Sequence, residues 1–299
     1  MIDVKSVCKS FDDKNMILDN ISFHVEGGSI HGLVGPNGSG KTTLIKCMMG
    51  IYQTTSGEVL YDGKPVFDNP EVKKRIGYVA DENIFFEEYT PKKMVKYFNG
   101  IYESFDEKEF EDLNKIFKIP MNVRIGNLSK GQKMRLSFVL NMALNPDVMI
   151  LDEPTSGLDA IAKKEFFDKL IARVEGQEVT VVISSHNLGD LEKICDTITM
   201  FDKDNKVEVD TVDSIKDSIG KYQVVFKNGD GAGFMKDERI LEYSTLGSVY
   251  TVIWKYSDPD QVEDEALEYF NKKGADLAER IDITLEESFV YLNMEGESR

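Results

Sequence analysis

Nine consecutive residues, 35–43, contain the glycines, lysine and hydroxyl side chains that are needed to hold phosphate groups. They fit the pattern G-x-x-x-x-G-K-[ST]. Glycines there let backbone N–H groups close around phosphates, and the following helix adds the positive end of its dipole. The lysine reaches the β- and γ-phosphates, and the threonine hydroxyl is placed to bind Mg²⁺. The sequence therefore predicts a nucleoside triphosphate site formed by Gly35, Pro36, Asn37, Gly38, Ser39, Gly40, Lys41, Thr42 and Thr43.

A pair of adjacent carboxylates is the second group that could do chemistry. Asp152 and Glu153 follow four apolar residues, 148–151, which favour a buried strand. Such a strand would bring both carboxylates to the sheet edge at which phosphates bind. We expect Asp152 to hold the metal through water, and Glu153, pointing the other way in the strand, to orient and deprotonate the attacking water. A lone Asp-Glu pair is usually surface charge, so this prediction depends on the apolar strand and the upstream phosphate loop.

The elements that must position these residues alternate between strands and helices. A helix is predicted directly after the phosphate loop, at 43–49, and a helical stretch begins at Thr90-Pro91. Strands are predicted at 2–7, 21–25, 30–34, 58–61, 148–151, 179–184 and 197–201. This order predicts an α/β fold of the P-loop NTPase class, with a RecA-like, mostly parallel sheet, a β-rich N-terminal part and a helical subdomain inserted at about 86–144. We assign residues 1–210 to this domain.

The chain after residue 221 has a different pattern. A strand, a glycine-rich turn, an alternating apolar segment and an acidic helix are predicted at 222–227, 229–233, 252–256 and about 259–273. These elements predict a small α+β accessory domain over 221–299, with a boundary near 210–221.

Composition restricts the partners and the compartment. The formal charge is −17 and there is no basic stripe, which argues against nucleic acid as the main partner. The cysteines, Cys8, Cys47 and Cys195, are odd in number and widely spaced, as expected in a reducing compartment. We find no signal-peptide pattern and no apolar run near the roughly 20 residues that span a bilayer. We expect a cytoplasmic protein that reaches a membrane only through another protein.

The pentapeptide Leu128-Ser-Lys-Gly-Gln132 precedes an apolar helix predicted at 133–144. Ser129 fits the N-cap of this helix, and free N–H groups at a helix start bind anions. Taken alone, the pentapeptide is equally well explained as an ordinary helix cap.

In combination, the motifs resemble the ATP-binding subunits of ABC transporters. The phosphate loop, the pentapeptide, Leu151-Asp-Glu-Pro154, Ser156-Gly-Leu-Asp159 and Ser184-Ser-His186 occur in the order of that family, over roughly residues 1–210. The resemblance implies that two ATPase domains enclose two ATP molecules head to tail. It implies that Ser129, Gly131 and Gln132 face ATP held by the partner, that Asp159 links the two sites, and that His186 holds the γ-phosphate and the attacking water.

The resemblance also implies an aromatic residue that stacks on adenine. Phe11 lies 24 residues before Gly35, about where the family has it, although a core phenylalanine explains Phe11 nearly as well.

Two positions depart from the family pattern. A glutamine is common where a strand meets the helical subdomain, and this chain has Asp81-Glu82 there. A carboxylate can still bind Mg²⁺ or its water, so we expect Asp81 to join Thr42 and Asp152 at the metal, with Glu82 as the alternative. The second departure is Lys130 in the pentapeptide 128–132, which corresponds to the signature motif of that family and commonly has glycine at this position. The lysine adds positive charge near a phosphate site, and we expect it to be tolerated.

The resemblance implies Mg²⁺-dependent ATP hydrolysis by Lys41, Glu153 and His186, coupled to separate multi-helix permease subunits. The second ATPase domain is another copy of this chain or a related subunit. Residues 84–89 are expected to form part of the socket for a permease helix. The segment 283–289 resembles the end of exporter ATPases and favours export.

Other functions stay open at this point. A soluble ABC ATPase acting in translation or DNA repair shares the same core, but such proteins have paired ATPase domains, coiled coils or zinc-binding inserts. A P-loop kinase or nucleotide switch would lack both the pentapeptide and the Ser-His pair.

Overall fold

The computed structural model describes residues 1–12, 15–82, 84–177, 179–201, 207–226, 237–256 and 264–294. The chain divides into two compact units, Met1–Val209 and Asp210–Arg299. The glycine-rich turn predicted at 229–233 and the beginning of the helix predicted from residue 259 lie outside the described residues.

An antiparallel sheet opens the first unit. Its strands are β1 (Ile2–Ser10), β2 (Met16–Val25), β4 (Ser56–Tyr61) and β5 (Lys64–Pro65), in the order β2-β1-β4-β5. Strand β2 alternates between buried and exposed residues, because only one of its faces meets the core. Strands β1 and β2 extend beyond the predicted ranges, since Lys9 and Ser10 of β1 still pair with Leu18 and Met16 of β2.

The second sheet carries the predicted site. Its strands are β3 (Ile30–Val34), β6 (Ile76–Val79), β7 (Val148–Asp152), β8 (Thr180–Ser185), β9 (Thr197–Phe201) and β10 (Val207–Thr211), in the order β10-β9-β3-β8-β7-β6. From β9 to β6 all neighbours are parallel. Val34 pairs with Ser185, and Asp152 pairs with Ser184, so β3, β7 and β8 end side by side. The residues that follow these three strands therefore meet at one edge.

Helix α1 (Lys41–Met48) packs between the two sheets. Leu44, Ile45 and Met48 are fully buried there, in one apolar cluster with Leu33 of β3 and Ile150 of β7. Burial of such side chains is worth about 1.5–3 kcal/mol each. This packing holds the first turn of α1 at the end of β3.

The predicted helical range, 86–144, contains three α-helices. These are α3 (Pro91–Ile101), α4 (Glu107–Phe117) and α5 (Lys130–Met142), with a short 3-10 helix at Ile125–Asn127. Thr90 caps α3 by accepting a hydrogen bond from the Lys93 N–H at 3.3 Å. Helix α5 begins at Lys130, three residues earlier than predicted, because Ser129 caps it there.

Side chains connect α4 and α5 to a further helix, α6 (Ala160–Gln177). Phe138 of α5 lies between Phe117 of α4 and Phe166 of α6, with ring centroids 5.6 and 4.1 Å apart. Arg173 of α6 is buried and donates to the Glu109 carboxylate at 2.7 Å and to the Met142 carbonyl at 3.0 Å. Two short helices, α2 (Pro70–Lys73) and α7 (Leu188–Leu191), complete the described helices of this unit.

The second unit contains an antiparallel sheet and three helices within the described residues. Its elements are α8 (Val212–Asp217), β11 (Ile219–Val225), β12 (Ile240–Leu246), β13 (Val249–Lys255), α9 (Asp264–Lys272), β14 (Leu277–Ile281) and α10 (Leu285–Met294). The strand order is β12-β13-β11-β14, and Trp254 and Tyr222 pack against Phe270 of α9. Residues 211–220 lie within the predicted domain boundary, and they contain α8 and the start of β11. No helix in the described parts of the chain is long and apolar enough to cross a membrane.

Candidate functional site

The phosphate loop connects the end of β3 to the first turn of α1. A Cβ atom on Gly35 would lie 2.8 Å from the Phe201 carbonyl oxygen, so only glycine fits between the loop and β9. Gly40 precedes α1 with φ of 97°, a left-handed conformation that glycine adopts without strain. The loop thus follows the predicted strand–loop–helix arrangement.

Lys41 is buried at the start of α1 and turns back into the loop. Its Nζ donates to the carbonyl oxygens of Gly35 at 2.6 Å and Pro36 at 3.0 Å. Burial lowers the pKa of this ammonium, and the charges of Glu153 and Asp152 oppose that shift. Both carboxylates line the same cavity as Lys41.

The two carboxylates are held through Ser184, a residue without a role in the sequence prediction. The Ser184 hydroxyl donates to Asp152 Oδ1 at 2.7 Å and accepts from the Glu153 N–H at 3.0 Å. Ser184 and Asp152 are both buried. The pairing of Asp152 with Ser184 across the parallel strands β7 and β8 creates this contact, so a sequence search for polar residues ending neighbouring strands could have found it.

The prediction that Glu153 continues the strand is wrong. Strand β7 ends at Asp152, and Glu153 has φ of 48°, in the left-handed region that residues other than glycine rarely adopt. The backbone turns at this residue, and the Glu153 carboxylate accompanies the turn towards His186. Local backbone strain of this kind is common at functional sites.

His186 and Glu153 are brought together as one pair. His186 directly follows β8, and its Nδ1 lies 2.7 Å from Glu153 Oε2. The histidine ring is largely exposed while the carboxylate is mostly buried. An imidazole in this position can orient the carboxylate and still present its other nitrogen to a bound molecule.

A cavity of about 360 Å³ lies in front of the phosphate loop. The predicted residues that line it are Asn37, Gly38, Gly40, Lys41, Thr42, Thr43, Asp81, Asp152 and Glu153. Glu82 does not line this cavity and instead borders an apolar groove nearby. Of the two carboxylates considered for the position of the family's glutamine, Asp81 is therefore the one that faces the phosphate loop.

The side chains at the cavity that could bind a metal ion offer oxygen atoms, namely the carboxylates of Asp81 and Asp152 and the hydroxyl of Thr42. Within the described residues, no three His, Cys, Asp or Glu side chains form a group that could hold a metal by themselves. Magnesium is usually bound by one or two carboxylates together with substrate phosphates and waters, not by an all-protein cage. The donor set fits such an ion.

The pentapeptide residues Ser129, Gly131 and Gln132 are outside the lining of this cavity. Ser129 and Gln132 cap α5 reciprocally, because the Ser129 hydroxyl accepts from the Gln132 N–H and Gln132 Oε1 accepts from the Ser129 N–H, at 3.2 and 3.0 Å. A Cβ on Gly131 would lie 2.4 Å from the Gly157 carbonyl oxygen, so the start of α5 packs closely on the turn at 155–158.

Asp159 also lies outside the cavity. It caps α6 by accepting from the Ala162 N–H at 2.9 Å, and it pairs with Arg135 of α5 at 2.8 Å. The hydrogen bond from Ala162, with help from Arg135, lowers the pKa of Asp159.

Phe11 is an exposed residue just beyond β1, outside the lining of the cavity. Its ring meets the Tyr52 ring edge-on at 5.0 Å, and the Lys9 ammonium lies 4.8 Å from the centre of the Phe11 ring. Phe11 is therefore not a core residue, and its ring is accessible from solvent.

Known proteins resemble this chain in both sequence and fold. The family model described as ABC transporter matches residues 18–156. The ABC transporter ATP-binding protein YtrB of Bacillus subtilis (strain 168) is 31% identical over 290 residues, which cover 97% of each chain. The chain belongs to the ABC transporter ATP-binding protein family. Its predicted family is thereby confirmed, and the chain is an ATPase of that family.

One further relative and one solved structure support the assignment to the ABC family, and a second solved structure shows the fold. The Nod factor export ATP-binding protein I of Burkholderia thailandensis (strain ATCC 700388 / DSM 13276 / CCUG 48851 / CIP 106301 / E264) is 31% identical over 214 residues, covering 69% of each chain. The solved structure of an ATP-binding subunit of an ABC transporter has a TM-score of 0.65 at 25% identity, and covers 72% of this chain and 92% of its own. A dimeric bacterial ABC transporter cassette, at 22% identity and a TM-score of 0.64, shows the same fold over 71% of this chain. The predicted α/β fold class is confirmed.

Proposed function

We propose that this chain is the ATP-binding subunit of a membrane transporter and hydrolyses ATP with Mg²⁺ between two ATPase domains. The observation that carries the proposal is the single cavity at which Lys41, Asp152 and Glu153 meet, with His186 bonded to Glu153. ABC membership supplies the reaction, and this geometry supports the residue roles.

Each residue at the cavity has a chemical role in this proposal. Lys41 binds the β- and γ-phosphates once its ammonium leaves the loop carbonyls. Thr42, Asp152 and Asp81 would hold Mg²⁺, which would neutralise charge on the phosphates when bound. Glu153 takes a proton from the attacking water, and His186 orients that carboxylate and contacts the γ-phosphate.

The pairing of two ATPase domains is supported by residues outside the cavity. Ser129, Gly131, Gln132 and Asp159 belong to the ABC motifs, and none of them lines the cavity of its own chain. We infer that they complete the cavity of a second domain, either another copy of this chain or a related subunit. Phe11, exposed outside the cavity lining, is proposed to stack on adenine.

The Glu153→Gln variant tests these assignments. General-base catalysis contributes about 10²- to 10⁴-fold, so turnover should fall by that factor while ATP binding persists. Light scattering with and without ATP then measures the mass, and we expect it to double with ATP. Lys41→Ala, which should not bind ATP, is the control. Near-normal turnover would remove Glu153 from the role of base, and an ATP-bound monomer would mean that closure needs a different partner.

An apolar groove supports the proposal of permease partners. Ile84, Phe85 and Phe86 border a cavity of about 680 Å³ with Tyr97 and Phe98 of α3, and Ile84 is 98% exposed. Exposed apolar groups of this kind mark interaction sites. We propose that a cytoplasmic helix of a permease binds here and keeps this chain at the inner face of the membrane.

A charge placed in the groove tests this docking. Phe86→Asp should move the chain from the membrane fraction of its own cells into the soluble fraction, with the ATPase activity of the purified protein unchanged. Val123→Asp is a matched control, because Val123 is 40% exposed, similar to Phe86 at 50%, and does not border the groove. If both variants stay with the membrane, the groove is not the docking site.

Export is the proposed direction. Relatives of this chain include a Nod factor export protein and a probable multidrug ABC transporter ATP-binding protein of Escherichia coli (strain K12). We assign the nucleotide chemistry to residues 1–210 and treat the C-terminal unit as an accessory domain.

A further inference from the structure

The two residues that depart from the ABC motif pattern contact each other. The Lys130 ammonium lies 2.9 Å from Asp81 Oδ1 and 2.9 Å from the Ser156 hydroxyl oxygen. Asp81 lies just beyond β6, whereas Lys130 is the first residue of α5, 49 positions later in the chain. The contact therefore joins the edge of the phosphate cavity to the start of the signature helix.

The helix itself disfavours a lysine at this position. The first turn of α5 contains no acidic residue, and Lys130 and Lys133 both lie near the positive end of the helix dipole. Asp81 supplies the negative charge that compensates for Lys130. The two side chains are 54% and 43% exposed, so this ion pair is accessible to solvent and weak enough to be exchanged.

Asp81 also faces the phosphate cavity, beside Thr42 and Asp152. A carboxylate that binds both an ammonium and a divalent cation brings two positive charges close together, and these repel each other. Binding of either cation must then weaken the binding of the other by the same factor. Ser156 gives Lys130 a second partner that does not depend on Asp81.

We propose that Lys130 is a positioning residue that competes with Mg²⁺ for Asp81. When Mg²⁺ is bound, the ion pair between Asp81 and Lys130 is weakened, while the hydrogen bond from Lys130 to Ser156 persists. The contact between the start of α5 and Asp81 therefore depends on whether Mg²⁺ occupies the cavity of the same chain. This inference rests on the proposed Mg²⁺–ATP site.

A double-mutant cycle tests the competition without measuring hydrolysis. The variants are Lys130→Met, Asp81→Asn and the two combined, and the probe is the non-hydrolysable ATP analogue AMP-PNP in isothermal titration calorimetry. The readout is the ratio of its dissociation constants in EDTA and in saturating Mg²⁺. Binding of the analogue to Lys130→Met in EDTA verifies that the cavity is intact.

Removal of Lys130 should increase the gain in affinity from Mg²⁺. We expect the ratio to rise about 2- to 5-fold in Lys130→Met, which corresponds to about 0.4–1 kcal/mol, as expected of an exposed ion pair. In the Asp81→Asn background, the same substitution should have no further effect. Lys130→Arg keeps the competing charge and should keep the wild-type ratio.

Lys133→Met is the matched control for loss of charge. Lys133 lies in the same turn of α5, but its nearest ion-pair partner is Glu87, at 4.0 Å, so its removal should leave the ratio unchanged. If Lys130→Met raises the ratio equally in the wild-type and Asp81→Asn backgrounds, the effect is a long-range charge effect and the proposal is overturned. A fall in the ratio for Lys130→Met would overturn it as well. If Mg²⁺ does not increase the affinity of the wild-type chain for AMP-PNP at all, the proposed Mg²⁺–ATP site itself is wrong. If Mg²⁺ does increase that affinity but the ratio is unchanged in Lys130→Met, only the competition for Asp81 is refuted.

Discussion

Ser184 offers the sharpest test of how the site is built, because one hydroxyl supports both carboxylates. In Ser184→Ala, Asp152 loses the hydrogen bond to Oδ1, and the Glu153 N–H loses its acceptor. Both Ser184 and Asp152 are buried, so water does not readily replace the hydroxyl. A hydrogen bond to a charged group is worth about 1.5–3 kcal/mol and a neutral one about 1 kcal/mol, so the free energy of unfolding should fall by about 2.5–4 kcal/mol.

The neighbouring Ser185 provides a control of equal size and similar burial. Within the described residues, its hydroxyl accepts a single hydrogen bond, from the Asn187 N–H at 3.0 Å, so Ser185→Ala should cost about 1 kcal/mol. Urea unfolding followed by far-UV circular dichroism measures both variants. The only tryptophan of the chain, Trp254, lies in the second unit, so its fluorescence follows that unit separately.

The comparison of the two serines decides the matter. If Ser184→Ala is no more destabilising than Ser185→Ala, the hydroxyl is not a support for the carboxylates, and the reasoning from the two hydrogen bonds is refuted. A loss restricted to the transition reported by Trp254 would contradict it equally, since Ser184 belongs to the first unit.

Two further predictions concern residues of the same unit. Burial lowers the pKa of His31 to about 3 from 6.5, so the unfolded chain takes up the proton first as pH falls. Stability should therefore decline between pH 6.5 and 3, by about 2–3 kcal/mol from pH 7 to 4.5, and urea titrations of His31→Gln should show a shallower acid limb. Gly131→Ala would place a Cβ 2.4 Å from the Gly157 carbonyl oxygen and displace the turn at 155–158. Its ATPase activity should be lost while ATP binding by the single chain persists; Gly100→Ala, where the Cβ meets nothing within 4 Å, should remain active.

Local features of the site are predictable because their causes lie within a few residues. The glycine at 40 is required by the left-handed backbone at that position. Gly35 is an exception, because it is required by the nearby Phe201 carbonyl oxygen of β9, which the local sequence does not reveal. Ser129 caps α5 and Thr90 caps α3 through hydrogen bonds that span three residues. Apolar strands such as β7 and β8 are recognisable since both of their faces are buried.

Other elements are missing from the prediction. Helix α6 is not recognised, although its buried apolar residues Ala162, Phe166 and Leu170 recur every fourth position along one face. Strand β14 has only intermediate and exposed residues, and β12 is mostly exposed, so neither shows the alternation of a half-buried strand.

By itself, the sequence determined the chemistry of this protein: a phosphate loop, a pair of carboxylates after an apolar strand, a capped signature helix and a histidine after a strand. Only the tertiary structure decided how these groups contact one another. The register of β7 against β8 puts Ser184 under Asp152, and the packing of α5 places Lys130 on Asp81. Such contacts join residues 32 and 49 positions apart. Their partners are selected by sheet order and helix packing, which depend on the burial of the whole core and not on any local pattern.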